Sequence, residues 1–528
     1  MSQSHRLSTG GSIDRETLVE FTFNGRRYKG HPGDTVASAL LANGVKIVGR
    51  SFKYHRPRGI FAAGAEEPNA LLQLEAGART LPNQQATRVE LYDGLSADSV
   101  NCWPGPDFDA MSFIGLFHRL TPAGFYYKTF MWPASFWKYY EHFIRHAAGL
   151  GTAPTEMDPD YYDKMNAHAD VVVVGGGPSG LAATLAAARI GARVILADDQ
   201  PTLGGWLLNE RREIDGKPAN EWIATVEAEL NQMDDVTILR RTTAFGYYDH
   251  NFVGMIEQRQ TNVSHGGSTS RQRLWRVRAK QVVLATGAIE QPMIFADNDR
   301  PGVMLAGAVR TYVNRYGVQP GKRVCVFTNN DDAYRTALDL FDAGVNVPAI
   351  IDVRPDPSGE LATEAIQRNI EILDDHAVTA VQGSKGVTSI EVMALNKAGD
   401  GVTGAARTIS CDVICSSGGW NPAIHLHSHS GGKAEFDEER GIFVPGNTLQ
   451  NETCVGAAAG TFDLTNCLAD GLEGGKAAAG VAGFKKRIRG KTPWTSEEDE
   501  APSRLMWVVP TTQPLGRRGK HFLDQAHD

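Results

Sequence analysis

Between residues 18 and 30, LVEFTFNGRRYKG alternates apolar and polar positions around Asn24-Gly25, a pattern that predicts a tight β-hairpin. The following PGDTVASALLANG (32–44) changes to helical spacing, with a start at Asp34 or Thr35 and a stop at Gly44. A hairpin followed by a helix is how a β-grasp fold begins. Much later, a continuous apolar run, Val171–Val174, enters Gly175-x-Gly177-x-x-Gly180 and a helix of small residues. A second apolar strand, Arg193–Ala197, then ends in Asp198. Residues 321–355, GKRVCVFTNNDDAYRTALDLFDAGVNVPAIIDVRP, repeat this strand–turn–helix–strand rhythm and place Asp352 after the last strand. Between the two, Ala285-Thr286-Gly287 in QVVLATGAIEQ turns the chain from the first unit to the second. CDVICSSGGWNP (411–422) and TCVGAAAGTFDLTNCLADGLEGGKAAAG (453–480) are expected to complete the first.

The expected fold class is therefore α/β: a flavoprotein-like fold with two dinucleotide-binding, Rossmann-type domains, preceded by a β-grasp, ferredoxin-like domain. The expected boundaries are 1–100 for the β-grasp domain and 101–166 for an aromatic-rich connector. The first dinucleotide-binding domain takes 167–300, completed by 405–490, around an inserted nucleotide-type domain at 301–404, and 491–528 form a tail.

Chemistry concentrates in the first glycine turn. Gly175 permits a tight turn, Gly177 lets backbone approach a pyrophosphate, and Gly180 lets helix pack on strand. The helix start supplies N–H donors for phosphate. A carboxylate at the end of the second strand suits ribose hydroxyls and repels a 2′-phosphate, so Asp198 and Asp199, with no arginine beside them, favour NAD over NADP. Two-domain flavoenzymes carry an acid for the flavin's ribityl chain in the last glycine motif. Here the motif reads Ala459-Gly460-Thr461, which turns the reading from FAD towards NAD. The candidate contact set is Gly175, Gly177, Ser179, Gly180, Asp198, Asp199, Gln200, Gly205, Trp206, Gly287, Gly460 and Thr461, with no catalytic residue and no metal ligand assigned. In the second turn Thr328, Asn330 and Ala333 replace the glycines. Asp331 and Asp332 there can cap a helix but would repel phosphate, so this domain reads as one that has lost its nucleotide.

The 20-residue stretch RSFKYHRPRGIFAAGAEEPN (50–69) lies where ferredoxin-like domains place cluster cysteines. Yet Ala62 and Ala63 occupy the turn, and the first cysteine of the chain is Cys102. A cluster needs four thiolates, or two with histidines, so none is expected here. His425, His427 and His429 alternate and would share one face of a strand. No cysteine or carboxylate lies nearby in sequence, and the SGG that follows suggests a loop, which argues against a metal. The aromatic stretch 101–146 reads as a packing arm between domains.

The 528 residues exceed one core and suggest three or four domains. A net charge of −8 argues against a nucleic-acid partner. Six cysteines without a CxxC pair make no disulfide framework, and Cys411 and Cys415 would stand too far apart on a strand to bridge. There is no apolar leader and no run of about 20 apolar residues, so a cytoplasmic protein without a membrane partner is expected.

RSFKYHRPRGIFAAG, NCWPG, GFYYKTFMWP, VVVVGGGPSGLAA, LATGAIEQP, VFTNNDDAYRTALDL and CSSGGWNP through LADGLEGG together resemble the alpha subunit of heterotetrameric sarcosine oxidase. The resemblance implies a cluster-free ferredoxin-like domain and NAD held tightly in the first Rossmann domain. It also implies FMN at the contact with a beta subunit, and FAD in that subunit, which oxidises the amine of sarcosine. Gamma and delta subunits complete the complex. On this reading Lys53, Arg56 and Arg58 form a docking surface for a flavin phosphate or an acidic partner face. The family continues into a folate-binding, aminomethyltransferase-like half. PLGRRGKHFLDQAHD (514–528) resembles the lead-in to it, so the folate step is expected elsewhere and the isolated chain is expected to be inactive. The alternatives are the alpha subunit of an amino-acid or opine dehydrogenase complex, or a non-catalytic NAD-binding scaffold.

Overall fold

A computed structural model describes residues 3–51, 54–120, 132–149, 151–259, 270–486, 493, 495, 502–511 and 519–521. Lys53, most of GFYYKTFMWP and most of the 491–528 tail lie outside these residues. The chain divides into two compact units: residues 1–159 with 291–419 and 500–528, and residues 160–290 with 420–499.

In the first unit the hairpin forms as β1 (Val19–Phe23) and β2 (Arg26–Gly30), and Asn24 and Gly25 both take positive φ, 49° and 71°. Such a turn matches the right-handed twist of its strands. Helix α1 (Val36–Ala42) starts at Thr35, whose side chain accepts from the Ser38 N–H while the Ser38 hydroxyl accepts from the Thr35 N–H. This reciprocal cap satisfies two donors at the helix start. Strands β3 (Leu71–Leu74), β4 (Leu81–Gln85) and β5 (Ser96–Ser99) complete a five-stranded sheet in the order β2-β1-β5-β3-β4, with β1 and β5 parallel.

The dinucleotide-type fold of the second unit is built on β6 (Tyr162–Val174), α2 (Pro178–Ile190), β7 (Val194–Ala197), β8 (Val236–Leu239), β9 (Thr242–Tyr248), β10 (Phe252–Gln258) and β11 (Gln272–Leu284). The sheet runs β8-β7-β6-β11-β10-β9. The strands from β8 to β11 are mutually parallel, and β10 and β9 are added antiparallel.

The remainder of the first unit is a second parallel sheet. It holds β12 (Val303–Leu305), β13 (Val324–Thr328), β14 (Ile350–Asp352), β15 (Ile372–Leu373) and β16 (Val413–Ser417), in the order β12-β16-β13-β14-β15. Helices α3 (Ala306–Asn314) and α4 (Asp332–Asp342) belong to it. Val413–Ser417, expected in the first dinucleotide domain, therefore pairs elsewhere, with Val324–Thr328 and Val303–Leu305. The β-grasp residues and this sheet share one core, in which Leu40, Leu72, Phe327 and Tyr334 are each fully buried. The chain returns to the second unit for β17 (Glu452–Cys454), parallel to β11, and for α5 (Leu464–Val481).

The basic loop differs from its expected role. Arg56 donates to both Asp297 and Asp299, at 2.8 and 2.5 Å, and Arg58 also pairs with Asp299. All four residues belong to the first unit, so these charges are engaged within the chain. Asp299 is almost fully buried. Burial pushes its carboxyl up, but the hydrogen bonds and charges of Arg56 and Arg58 outweigh this and hold it below its ordinary value. Replacing it removes the carboxylate that Arg56 and Arg58 share, while Asp297 still pairs with Arg56. Asp299→Asn is expected to cost about 3–5 kcal/mol of unfolding free energy. A depressed carboxyl stabilises the fold above its ordinary titration range and stops doing so as pH falls through its folded value. The gap between wild type and Asp299→Asn in denaturant titrations should therefore narrow below about pH 4. A gap absent at pH 7 would contradict this assignment.

Candidate functional site

The glycine turn between β6 and α2 is built by close approach. A Cβ on Gly175 would lie 2.2 Å from the Ala285 carbonyl oxygen, and one on Gly180 would lie 1.8 Å from the Gly175 carbonyl oxygen. Both distances exclude a side chain, so helix and strand pack backbone to backbone here. Gly177 is the N-cap of α2 and provides no side-chain cap, with Pro178 directly behind it. The first-turn N–H groups thus depend on something other than a capping side chain. Helix α5 presses on α2 in the same manner. Cβ atoms on Gly471 and Gly475 would each lie 2.2 Å from a carbonyl oxygen, those of Ser179 and Ala183.

Asp198 is buried at the end of β7. One carboxylate oxygen accepts from the Gly176 N–H at 2.5 Å, the other from the Gln200 N–H at 2.8 Å. The residue expected to meet a ribose therefore also orders the glycine turn, a role that no sequence motif displays. Asp199 is exposed and accepts from the Gln200 amide at 3.2 Å. Gly205 lies over the turn, since its Cβ would stand 2.8 Å from the Gly177 Cα, and Trp206 meets Trp420 edge-on at 4.8 Å. Ser179 is buried beneath the Gly456 turn, where a Cβ on Gly456 would lie 2.0 Å from its hydroxyl oxygen. Near Gly287, Thr286 donates to the Ala423 carbonyl at 2.7 Å.

At the last glycine motif the Thr461 hydroxyl donates to Asp470 at 2.7 Å, and Arg440 donates to the Gly460 carbonyl at 2.7 Å. A carboxylate thus stands beside Thr461 after all, brought back by the second turn of α5. Nine residues of separation hide it from a motif reading.

The histidines also depart from expectation. His425–His429 form a short helix, not a strand. His427 is fully buried with Nδ1 2.7 Å from Glu452 and Nε2 3.1 Å from the Lys433 carbonyl, and His429 bonds the Tyr247 backbone. A carboxylate is therefore near in space, though not in sequence. Among the described residues no group of His, Cys, Asp and Glu side chains is arranged to hold a metal.

In the inserted domain, Asp331 is bound by Arg354 at 2.6 Å, Arg354 also bonds Asp352 at 2.8 Å, and Tyr334 donates to Asp352 at 2.9 Å. Arg310, 1% exposed, holds Asp332 at 2.9 Å. Asp331 makes no cap with its side chain, so the expected capping role gives way to ion pairing. The acidic residues at this turn are thus paired with arginines of the same unit.

Comparison with known proteins gives two family matches. Residues 16–102 match a 2Fe-2S iron-sulfur cluster binding domain, and residues 170–264 match an FAD dependent oxidoreductase. Over 527 residues, 99% of this chain and 52% of the relative, the chain is 45% identical to the sarcosine oxidase alpha subunit of Rhizobium meliloti (strain 1021). It is 37% identical to the protein of the same name from Corynebacterium sp. (strain U-96), over 100% of this chain and 51% of that one. The chain is a homologue of sarcosine oxidase alpha subunits. It spans about half the length of those curated relatives. An opine oxidase subunit of Agrobacterium tumefaciens (strain Ach5) is 26% identical over 52% of this chain and 57% of its own length. Among solved structures, L-proline dehydrogenase from P. horikoshii superposes with a TM-score of 0.60 at 19% identity, over 92% of this chain and 77% of that one, a likeness of fold.

The close contact under the glycine turn can be tested by Gly180→Ala. The methyl group must displace backbone, a change costing about 1–3 kcal/mol. We expect a lower melting temperature and at least about a tenfold loss of bound nucleotide, read from the ultraviolet absorbance ratio of the purified protein. Full nucleotide retention with unchanged melting would contradict the geometry.

Proposed function

We propose that this chain binds NAD at the Gly175–Gly180 turn and acts as the alpha-type component of a sarcosine-oxidising complex, an oxidoreductase acting on CH–NH groups. Its homology to sarcosine oxidase alpha subunits supports the reaction class. The observation that carries the nucleotide assignment is the buried Asp198 carboxylate, fixed by two N–H donors at the edge of a helix start without a side-chain cap. The helix start attracts the pyrophosphate, Gly177 gives it room, and Asp198 accepts from ribose hydroxyls while opposing a 2′-phosphate. Bound NAD would supply a hydride acceptor or a fixed structural nucleotide. No residue of this chain is assigned to proton transfer from an amine. Amine oxidation is placed on a beta subunit carrying FAD, with FMN shared at the contact, and gamma and delta subunits as further partners. Sarcosine itself would be bound mainly by the partner. Among the described residues no helix is long and apolar enough to cross a membrane.

FAD in the first turn is the second reading. It is favoured by Asp470 beside Thr461 and by the FAD-dependent family description of residues 170–264. An opine-type complex is favoured by the partial match to the opine oxidase subunit.

Denaturing the purified chain and identifying the released nucleotide by mass separates NAD from FAD. NAD from a colourless protein is expected, and equimolar FAD from a yellow one overturns the reading. Asp198→Ala should weaken NAD retention by about ten- to a hundredfold, the loss of a charged hydrogen bond, and admit NADP. Unchanged retention together with unchanged exclusion of NADP would move the ribose contact to another residue.

A further inference from the structure

The loop that in a ferredoxin-like domain would carry cluster cysteines closes here on a carboxylate. Glu67 is 1% exposed, and its side chain turns back into its own loop. One oxygen accepts from the N–H groups of Phe61 and Ala62 at 2.8 and 2.6 Å, the other from those of Asn69 and Ala70 at 2.8 and 2.9 Å. Four backbone donors thus converge on one point, and such concave arrangements of N–H groups bind anions. Iron–sulfur clusters meet the same demand, since their sulfurs accept hydrogen bonds from the protein around them.

Residues 16–102 match a cluster-binding family, yet this segment contains one cysteine, Cys102, whose sulfur lies 3.2 Å from the Ser99 hydroxyl. One thiol does not fit a cluster that needs four ligands. We propose that the loop from Phe61 to Ala70 is an anion-binding nest filled from within the chain, the Glu67 carboxylate standing in for the iron–sulfur cluster of the matching family. The loop is wired onward from the same residues. The Phe61 carbonyl accepts from the Leu305 N–H at 2.9 Å, and the Ala62 carbonyl accepts from the Tyr312 hydroxyl at 2.9 Å. The carboxylate therefore sets the path of backbone that joins the β-grasp layer to α3 within the first unit.

Two further polar side chains lie beside this loop. Glu66 accepts from the Gly64 N–H at 3.0 Å, and Tyr312 is pushed far up by burial and by the nearby Glu67 charge. Burial pushes the Glu67 carboxyl up to about 7, against the pull of its four donors. Each oxygen already faces two N–H groups, so the anion is the form this geometry accommodates, and the test is best made at pH 8.

Glu67→Gln directs an NH2 group at two N–H donors while leaving shape unchanged. We expect its melting temperature to fall by at least about 4 °C and hydrogen exchange to quicken in peptides covering 60–70. Glu67→Ala opens the nest to a free anion. Added formate should restore much of its melting temperature and should not shift wild type or Glu67→Gln. Wild type supplied with iron and sulfide under reducing conditions should take up no stoichiometric cluster. The proposal is overturned if Glu67→Gln melts and exchanges like wild type, if formate shifts all three proteins equally, or if wild type assembles a stoichiometric cluster. Should Glu67→Ala stay insoluble with and without formate, melting and exchange of Glu67→Gln decide.

Discussion

A methyl group at Gly180 would lie 1.8 Å from the Gly175 carbonyl oxygen, and this contact organises the second unit. It brings the start of α2 directly against the end of β6. Along α2, Gly471 and Gly475 likewise let α5 approach the carbonyl oxygens of Ser179 and Ala183. Asp198 then locks the loop from the next strand by accepting from Gly176. Strand end, helix start and carboxylate are thereby held in one arrangement, and the first helical turn carries no side-chain cap.

Two other loops make a comparable demand on charge and meet it internally. The Phe61–Ala70 loop brings four N–H groups to the Glu67 carboxylate. The turn before α4 places Asp331 and Asp332 at the helix start and neutralises them with Arg354 and Arg310. A buried pair of this kind is costly to break from one side, because the remaining charge is left without compensation. In both loops the charge is met by groups of the chain itself. Of these three loops, the first glycine turn is the one that the proposed nucleotide would fill.

Local chemistry carried much of this into the sequence. Asn24-Gly25, the cap at Thr35 and the Gly175–Gly180 fingerprint each act through near neighbours, so a short window displays them. The features that escaped join residues far apart. Arg56 and Asp299 are 243 positions apart, and Arg354 meets Asp331 across 23. Val413–Ser417 reads as a buried strand in any sheet, because parallel strands covered on both faces have no alternation to name their partners. The alternating histidines suggest a strand face, while they form a short helix in which buried His427 meets Glu452, 25 positions away. Glu67 has no motif at all, since its four partners are backbone.

The proposal assigns an external anion to one loop of the three. Quantifying phosphorus, nucleotide and iron per chain on gently purified protein, expressed without partner subunits, tests this most directly. The account predicts one dinucleotide per chain, with the matching two phosphorus atoms and no stoichiometric iron. A second nucleotide, a stoichiometric cluster, or a chain that retains no nucleotide at all would contradict it.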